Sequence, residues 1–221
     1  MAIRVAGILL AAGDGSRLGR PKALVELNGQ TLAERGVALL RDGGADPILL
    51  VTGAARAHVD GARTVRNLDW RTGMGSSLAA GLHALETVGD SGIVAAVVAL
   101  ADQPLVGAES VRRLITAFCD GASVAVAAYD GKPRNPVLLA REHWPAVVAM
   151  ATGDTGARPF LRAHPKLVTH VECGDTGSPA DIDTPDDLAQ VAEVVARREL
   201  PGLVWLERTQ APSVGHRLTG R

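Results

Sequence analysis

Short apolar runs alternate with amphipathic stretches along most of the chain. Continuous apolar runs are typical of strands buried on both faces of a sheet, and they predict strands at 5–12, 47–53, 93–102, 123–129 and 136–140. Apolar positions with helical spacing predict helices at 32–40, 76–88, 109–119 and 184–200. This alternation predicts an α/β fold, in which one Rossmann-like domain has a mostly parallel twisted sheet with helices on both faces.

Two of the predicted helices carry sequence signals at their first residues. Ser76 and Ser77 offer oxygen acceptors at the start of the helix at 76–88. At the start of the last helix we expect Thr184 as the N-cap, Pro185 in the first helical position and Asp187 bonding back to the cap.

Length and composition place the chain among single-domain globular proteins. The alternation of elements ends near residue 200, which predicts one domain over 1–200 and a C-terminal tail over 201–221. The formal net charge of −1 gives no broad attraction to nucleic acid or to an anionic membrane, and we expect neither as a partner. Cys119 and Cys173 are far apart and lack metal-ligand spacing, so we expect a reduced, cytoplasmic protein without a zinc site.

A glycine-rich loop follows the first predicted strand. Gly13, Gly15 and Gly19 precede Lys22, and such loops commonly hold phosphates because glycine lets backbone N–H groups approach a ligand closely. A tight turn between a strand and a helix is the alternative, and it would explain two of the glycines. It would not explain Arg17 and Lys22, two cationic side chains that can reach the same polyphosphate.

Two common phosphate-binding loops do not match this sequence. The Walker loop needs Gly-Lys-Ser/Thr, but Lys22 lies between Pro21 and Ala23. The dinucleotide fingerprint needs glycine at the position of Leu18, and the predicted strand at 47–53 does not end in an acidic residue. These departures argue against a P-loop NTPase and against a nicotinamide-dependent dehydrogenase.

The loop resembles the signature of nucleotidyltransferases related to the enzymes of molybdenum cofactor synthesis. Its order is Leu10-Ala11-Ala12-Gly13-x-Gly15-x-Arg17-x-Gly19-x-Pro21-Lys22-x-Leu24. Further blocks are similar to the molybdenum cofactor cytidylyltransferase family and occur in family order: NLDWRTGMGSSLAAGL (67–82), ALADQPLV (99–106), RNPVLL (134–139), GDTGAR (153–158) and DIDTPDDL (181–188). The blocks cover most of residues 5–190, and the resemblance implies a nucleotidyltransferase domain.

The resemblance implies a nucleotide site in the first loop, made by Leu10, Ala11, Ala12, Gly13, Gly15, Arg17 and Lys22. The backbone of residues 11–13 would meet the base. Arg17 and Lys22 would be catalytic by neutralising the phosphates, with Lys22, an ammonium on an open loop, next to the α-phosphate. Guanylyltransferases of this group more often have a second glycine where this chain has Ala12, so the resemblance favours CTP.

Acidic residues near two element ends are candidate magnesium ligands. Asp102 ends the predicted strand at 93–102, where it is either a helix N-cap or a catalytic Mg²⁺ ligand. Its place at a strand end and the resemblance favour the metal. Asp183 is the second candidate ligand, although its charge would also complement the dipole of the last helix, and Asp181 competes for the same role.

The resemblance assigns a second group of residues to the acceptor, a pterin with a terminal phosphate. The segment RTGMGSSL (71–78) has glycines and hydroxyls at a helix start, which is an anion-binding arrangement. The acceptor site would comprise Asn67, Gly73, Gly75, Ser76, Ser77, Asn135 and Arg158. For residues 154–158, a turn with a surface arginine is the competing interpretation.

The resemblance implies a Mg²⁺-dependent nucleotidyltransferase that transfers CMP from CTP to molybdenum-loaded molybdopterin and releases pyrophosphate. No Gly-x-Ser-x-Gly motif occurs, so we expect direct attack without a covalent enzyme intermediate. One alternative is a related nucleotidyltransferase that uses GTP or another phosphorylated acceptor. Another is a non-catalytic maturation factor that holds the cofactor for an apo-enzyme. For the main prediction, the resemblance implies a molybdoenzyme or its maturation chaperone as the partner.

Overall fold

The structure is a computed structural model that describes residues 3–87 and 92–199. Its strands are β1 (Arg4–Ala11), β2 (Glu26–Leu27), β3 (Gln30–Thr31), β4 (Ile48–Thr52), β5 (Arg63–Arg66), β6 (Ile93–Leu100), β7 (Val124–Tyr129), β8 (Lys132–Ala140) and β9 (Val168–Glu172). Its α-helices are α1 (Leu32–Asp42), α2 (Met74–Thr87), α3 (Ala108–Cys119), α4 (Trp144–Met150), α5 (Arg158–Ala163) and α6 (Pro185–Glu199).

In the described part of the chain, seven strands form one sheet in the order β5-β4-β1-β6-β8-β7-β9, while β2 and β3 form a separate small hairpin. All neighbouring strands of the large sheet run parallel except β8, which is antiparallel to both β6 and β7. The central strands β1 and β6 are apolar and buried almost throughout, as continuous apolar runs predict for a sheet covered on both faces. The predicted α/β fold with a mostly parallel sheet is confirmed.

Helices cover both faces of the sheet. One buried cluster packs α1 and α3 against one face, and a second packs α2, α4 and α5 against the other. A third cluster lies beside the sheet and joins α6 to the segment after β1 and to the segment that precedes α6. Its buried members are Val25, Leu27, Leu32, Leu105, Ile182, Val191 and Val195.

The predicted element boundaries agree with the structure to within a few residues, with two exceptions. The strand predicted at 136–140 begins four residues earlier, at Lys132. The helix predicted at 76–88 begins at Met74, so Ser76 and Ser77 lie inside α2 and are not its caps. The signals at the start of α6 are confirmed, because the Asp187 carboxylate accepts hydrogen bonds from the backbone N–H and hydroxyl of Thr184, both at 2.8 Å.

The tail predicted at 201–221 lies outside the described residues, and the domain boundary near residue 200 stays a prediction. Among the described residues, no helix combines the length and the apolar character that crossing a membrane requires.

Candidate active site

The candidate site lies where β1 and β6 end, side by side at the centre of the sheet. The backbone N–H of Ala101, just beyond β6, donates to the carbonyl of Leu10 at 3.1 Å. Asp102 comes next, so the fold places its carboxylate beside the loop that follows β1. Ligands of open α/β sheets generally bind at this edge, beyond the carboxyl ends of the strands.

The loop after β1 turns back toward Asp102 because Gly15 adopts a left-handed conformation, with φ of 60°. A Cβ atom at Gly15 would collide with the backbone carbonyl oxygen of Arg20. Gly15 is therefore needed to close the loop on itself. The closed loop presents Arg17 and Lys22 on the side that faces Asp102.

The segment before α6 is held against the end of β6. The backbone N–H of Ile182 donates to the carbonyl of Asp102 at 2.8 Å, and the Ile182 side chain is fully buried in the third cluster. The buried amide of Gln103 donates to the Asp181 carboxylate at 2.8 Å. Asp181 and Asp183 are thus fixed on either side of Ile182 at the edge of the site.

A compact cluster of charges results from this convergence. Lys22 Nζ lies 2.7 Å from Asp102 Oδ2 and 2.6 Å from Asp183 Oδ1. Arg17 Nη2 lies 3.1 Å from Asp183 Oδ2. Only 18% of the Lys22 side chain is exposed. Lys22 is therefore a half-enclosed ion-pair partner of two carboxylates and not the free ammonium on an open loop that we expected.

Burial and neighbouring charges shift the pKa values of Lys22, Asp183 and Asp181. Burial alone would lower the pKa of Lys22, but the charge of Asp102 and the hydrogen bonds to both carboxylates outweigh it and raise that pKa. The hydrogen bond from Lys22, together with the charge of Arg17, lowers the pKa of Asp183. Burial raises the pKa of Asp181 against the hydrogen bond from Gln103, and the charges of Asp102 and Asp183 add to the rise.

The two carboxylates fit the needs of a hard divalent cation. Asp102 Oδ1 is buried and has no hydrogen-bond partner among the described residues, so one oxygen is free to bind a ligand. No group of three or more His, Cys, Asp or Glu side chains in the described residues could hold a metal. Mg²⁺ usually binds one or two protein carboxylates, and water and phosphate oxygens fill its remaining coordination positions.

Two cavities open on either side of this cluster. The first has a volume of about 650 Å³. Most of the predicted nucleotide residues line it, namely Leu10, Ala11, Ala12, Gly13, Arg17 and Lys22. Gly15 does not, because its place is in the turn of the loop. Trp70 forms another wall, where Gly53 allows it to pack closely against the end of β4, since a Cβ at Gly53 would lie 2.5 Å from the Trp70 Cβ.

The second cavity has a volume of about 770 Å³ and shares Asp102 and Asp183 with the first. The predicted acceptor residues Asn135 and Arg158 line it. Its walls combine apolar side chains with arginines and a histidine, among them Val126, Val137, Leu161, Arg134, Arg162 and His170. The two cavities therefore meet at the charged cluster.

The remaining predicted acceptor residues are placed differently. Gly73 and Ser77 line the first cavity, and Asn67, Gly75 and Ser76 line neither. Asn67 is buried, and its amide nitrogen donates to the hydroxyls of Ser76 and Ser77 at 2.8 and 3.0 Å. Its Oδ1 accepts the backbone N–H at position 69, at 2.9 Å. Asn67 therefore ties the segment before α2 to the helix itself.

The glycines at the start of α2 serve close packing. A Cβ at Gly75 would lie 2.6 Å from the carbonyl oxygen of Ala151, and one at Gly73 would collide with the backbone of Gly153. The side chain of Asp154 accepts the backbone N–H of Met74, the first residue of α2, at 3.2 Å. The anion that we expected from a ligand at this helix start is thus supplied by the protein.

Several residues of the site carried no signal that we used in the sequence. Trp70 and Gln103 lie inside blocks that we quoted, yet the pattern of apolar and polar positions does not show that one lines a cavity and the other orients Asp181. Arg134, Arg162 and His170 reach the second cavity from β8, α5 and β9. The pairing of β7 with both β8 and β9 brings the two strands to the same part of the sheet.

The glycine-rich loop after β1 carries Arg17 and Lys22, and it faces a carboxylate at the end of β6 where two cavities meet. This arrangement is typical of an α/β nucleotidyltransferase. The chain belongs to the MobA-like NTP transferase domain family, whose profile matches residues 7–168. This confirms the family resemblance of the sequence blocks.

Two relatives show how varied the named activities in this group are. The nicotine blue oxidoreductase of Paenarthrobacter nicotinovorans is 39% identical over 198 residues, which span 83% of this chain and 94% of that protein. The molybdenum cofactor guanylyltransferase of Rhodobacter capsulatus is 27% identical over 208 residues, which span 90% of this chain and 100% of that protein.

A solved structure has the same fold. The Rv0371c protein of Mycobacterium tuberculosis H37Rv, solved in complex with manganese, is 25% identical and superposes with a TM-score of 0.69. The match covers 86% of this chain and 98% of that one. A member of this fold thus binds a divalent cation.

Proposed function

We propose that this protein transfers CMP from CTP to the terminal phosphate of a molybdopterin-type acceptor and releases pyrophosphate. The observation that carries the proposal is that the two cavities meet at Asp102 and Asp183, the carboxylates that Lys22 bridges from the first cavity. A transfer between two bound substrates requires such a shared point, because the attacking oxygen and the α-phosphate must be held in line.

The cationic residues of the cluster stabilise the charge of the reacting phosphates. Arg17 and Lys22 line the first cavity and can turn from the carboxylates to the triphosphate. Lys22 then lies closest to the α-phosphate, where negative charge grows during the attack. Such preorganised electrostatic contacts supply much of the rate enhancement in phosphoryl-type transfer.

Asp102 and Asp183 would hold Mg²⁺, and the ion would neutralise the phosphates and help to orient them. Asp183 is the better second ligand because it shares the Lys22 ammonium with Asp102. Asp181 instead faces the second cavity and is engaged by Gln103.

The second cavity supports an acceptor that combines a flat ring system with anionic groups. The side chains of Val126, Val137 and Leu161 offer an apolar wall, and Arg134 and Arg158 can pair with phosphate. A molybdoenzyme or its maturation chaperone is the partner that would receive the product. Both cysteines are free thiols, which supports the reducing cytoplasm as the location.

The preference for CTP over GTP rests on Ala12, which is buried and lines the first cavity together with Trp70. The methyl group narrows the space that a purine would need. The test is a screen of all four nucleoside triphosphates with molybdenum-loaded molybdopterin and Mg²⁺, in which pyrophosphate is measured. We expect turnover with CTP to be well above turnover with GTP. Equal turnover would contradict the CTP preference and leave only a nucleotidyltransferase of this family. No pyrophosphate release with any nucleotide would contradict the proposal that the protein is such an enzyme.

The similarity to nicotine blue oxidoreductase favours a second candidate, an oxidoreductase that acts on a flat aromatic substrate. The apolar wall of the second cavity would suit such a substrate. The cluster of Arg17, Lys22 and two carboxylates has no evident part in that chemistry, so nucleotidyl transfer is the better fit. Loss of the visible absorbance of nicotine blue in the presence of a reduced nicotinamide, without any pyrophosphate release in the first screen, would reverse this order.

A further inference from the structure

We propose that Lys22 occupies the position of the divalent cation when no nucleotide is bound, and that the phosphates of the nucleotide draw its ammonium away and open that position. This proposal concerns the regulation of the site described above and rests on the proposed function only for the identity of the ligand. Its consequence is that the protein without nucleotide binds divalent cations weakly, and that cation and nucleotide bind cooperatively.

The geometry of the ammonium carries the proposal. Lys22 Nζ bridges Asp102 Oδ2 and Asp183 Oδ1 at 2.7 and 2.6 Å, so it lies between two carboxylates that come from distant parts of the chain. The three side chains are 18%, 21% and 35% exposed, which leaves little room for a second cation at the same oxygens. An ion bound to both carboxylates would have to take the place of the ammonium.

One oxygen of the cluster shows that the ammonium does not satisfy the site. Asp102 Oδ1 is buried and has no hydrogen-bond partner among the described residues. Leaving a buried carboxylate oxygen without a partner costs free energy, and coordination of that oxygen to a hard cation would remove the cost. The arrangement thus has the donors of a cation site with a protein ammonium in the middle.

The nucleotide changes the balance between the two cations. Without it, an entering metal ion must displace Lys22 from two carboxylates. The other carboxylates that line the cavity already accept backbone N–H groups, Asp14 from Ser16 and Asp154 from Met74. With a triphosphate in the first cavity, Lys22 and Arg17 both gain phosphate oxygens as new partners. The cost of displacing Lys22 then falls, and by linkage the metal ion strengthens nucleotide binding by the same factor.

The experiment measures Mn²⁺ binding to the full chain without nucleotide or acceptor, at pH 8, from the electron paramagnetic resonance signal of free Mn²⁺. Lys22→Met removes the charge and keeps most of the side-chain volume. We expect it to bind Mn²⁺ at least about 10-fold more tightly than the wild type, within the usual range of coupling between two sites. Lys132→Met, at an exposed position of β8, is the matched control and should bind as the wild type does.

Two further variants keep the test decisive. Lys22→Gln repeats the measurement if Lys22→Met does not fold, as judged by circular dichroism. The double variant Lys22→Met/Asp102→Asn should lose the tight Mn²⁺ binding, which locates the ion at this site.

Mn²⁺ affinity that is unchanged or weaker in Lys22→Met, or tight binding that survives in the double variant, would overturn the proposal. The Mn²⁺ measurement does not depend on turnover. If Lys22→Met binds Mn²⁺ tightly but the wild type releases no pyrophosphate in the nucleotide screen, the proposed function is rejected and the exchange of Lys22 for a divalent cation still holds.

Discussion

At the scale of single residues, the candidate site depends on one lysine that bridges two carboxylates from distant parts of the chain. Asp102 follows a buried central strand, and Asp183 precedes the last helix. Their approach would be repulsive without an intervening cation, and Lys22 supplies that cation at 2.7 and 2.6 Å. The same approach creates the pair of oxygen ligands that a divalent ion needs.

The two aspartates that flank Ile182 should differ in importance. Asp183→Asn removes a carboxylate that shares the Lys22 ammonium with Asp102, and we expect kcat/KM for nucleotidyl transfer to fall by on the order of 10²-fold. Asp181→Asn keeps the contact with Gln103 in altered form and should cost less than about 10-fold, well below that loss. Steady-state kinetics at fixed Mg²⁺ compare them, and the reverse ranking would make Asp181 the second ligand.

The identity of the charged residues could be predicted from the sequence, but their contacts could not. Asp102 was visible because a carboxylate directly after a long apolar run must lie at the edge of the sheet. The bridge from Lys22 to Asp183 depends on a backbone hydrogen bond from Ile182 to Asp102, which joins segments about eighty residues apart. No local pattern in the sequence encodes a long-range bond of that kind.

At the scale of the elements, the start of α2 is shaped by packing against its neighbours. Gly73 and Gly75 admit the backbone of residues 151–153, and Asp154 caps the first turn. The sequence shows glycines and serines at a helix start, and this composition fits both an anion site and a close backbone contact. Only the tertiary neighbour shows that the close backbone contact is present, and the acceptor site expected there stays a prediction.

Asn67→Ala tests whether Asn67 positions Trp70, which lines the first cavity, or binds the acceptor. The change removes three hydrogen bonds and leaves buried polar groups unpaired, so we expect a loss of about 1–3 kcal/mol in the free energy of unfolding. Because Trp70 lies in the segment that Asn67 holds, KM for the nucleotide should rise more than KM for the acceptor.

Thr72→Ala is the matched control in the same segment, because it deletes an exposed hydrogen bond to the carbonyl of Asp69. Urea unfolding and initial-rate kinetics should show little change for it. A selective rise in KM for the acceptor in Asn67→Ala would instead support Asn67 as an acceptor-binding residue.

The start of α6 predicts a pH dependence of stability. The hydrogen bond from the Thr184 hydroxyl, with the backbone N–H groups of Asp183 and Thr184, lowers the pKa of Asp187. These contacts therefore stabilise the fold fully above the unfolded-state pKa of about 3.9, and the stabilisation is lost as the pH falls through the lower folded-state pKa.

Asp187→Ala should be less stable than the wild type at pH 7, and the gap should narrow as the pH falls below about 4. Urea titrations between about pH 3 and about pH 7 measure this difference in stability, since that range spans the unfolded-state pKa of an aspartate. Asp186→Ala controls for loss of a charge in the same turn, because Asp187 makes the capping contacts. A gap for Asp187→Ala that stays constant over this range would contradict the assigned contacts.

At the scale of the whole molecule, the central strands and the edge strands were not equally predictable. β1, β4 and β6 are continuous apolar runs because both faces of the sheet are covered there. β5 and β9 lie at the two edges and are mostly exposed, so their sequences RTVR and VTHVE carry no buried pattern. α4 and α5, of seven and six residues, are too short to show a clear helical period.

The third hydrophobic cluster links the stability of the molecule to the geometry of its site. Ile182 is fully buried among residues of α6 and of the segment after β1. Its two neighbours are Asp181 and Asp183, whose carboxylates reach the two cavities. Packing of one apolar side chain therefore sets the position of a proposed metal ligand.

Ile182→Ala should for this reason affect both stability and binding. Removing the buried side chain is expected to cost about 2–5 kcal/mol in the free energy of unfolding, measured by urea titration. Val191→Ala, in the same cluster but on α6, should also destabilise the protein, by less because it removes fewer atoms. At a temperature where both variants are folded, only Ile182→Ala should weaken binding of CTP with Mn²⁺ in calorimetry, because only Ile182 lies between the two aspartates. Equal binding by the two variants would show that the cluster holds α6 in place without setting the position of Asp183.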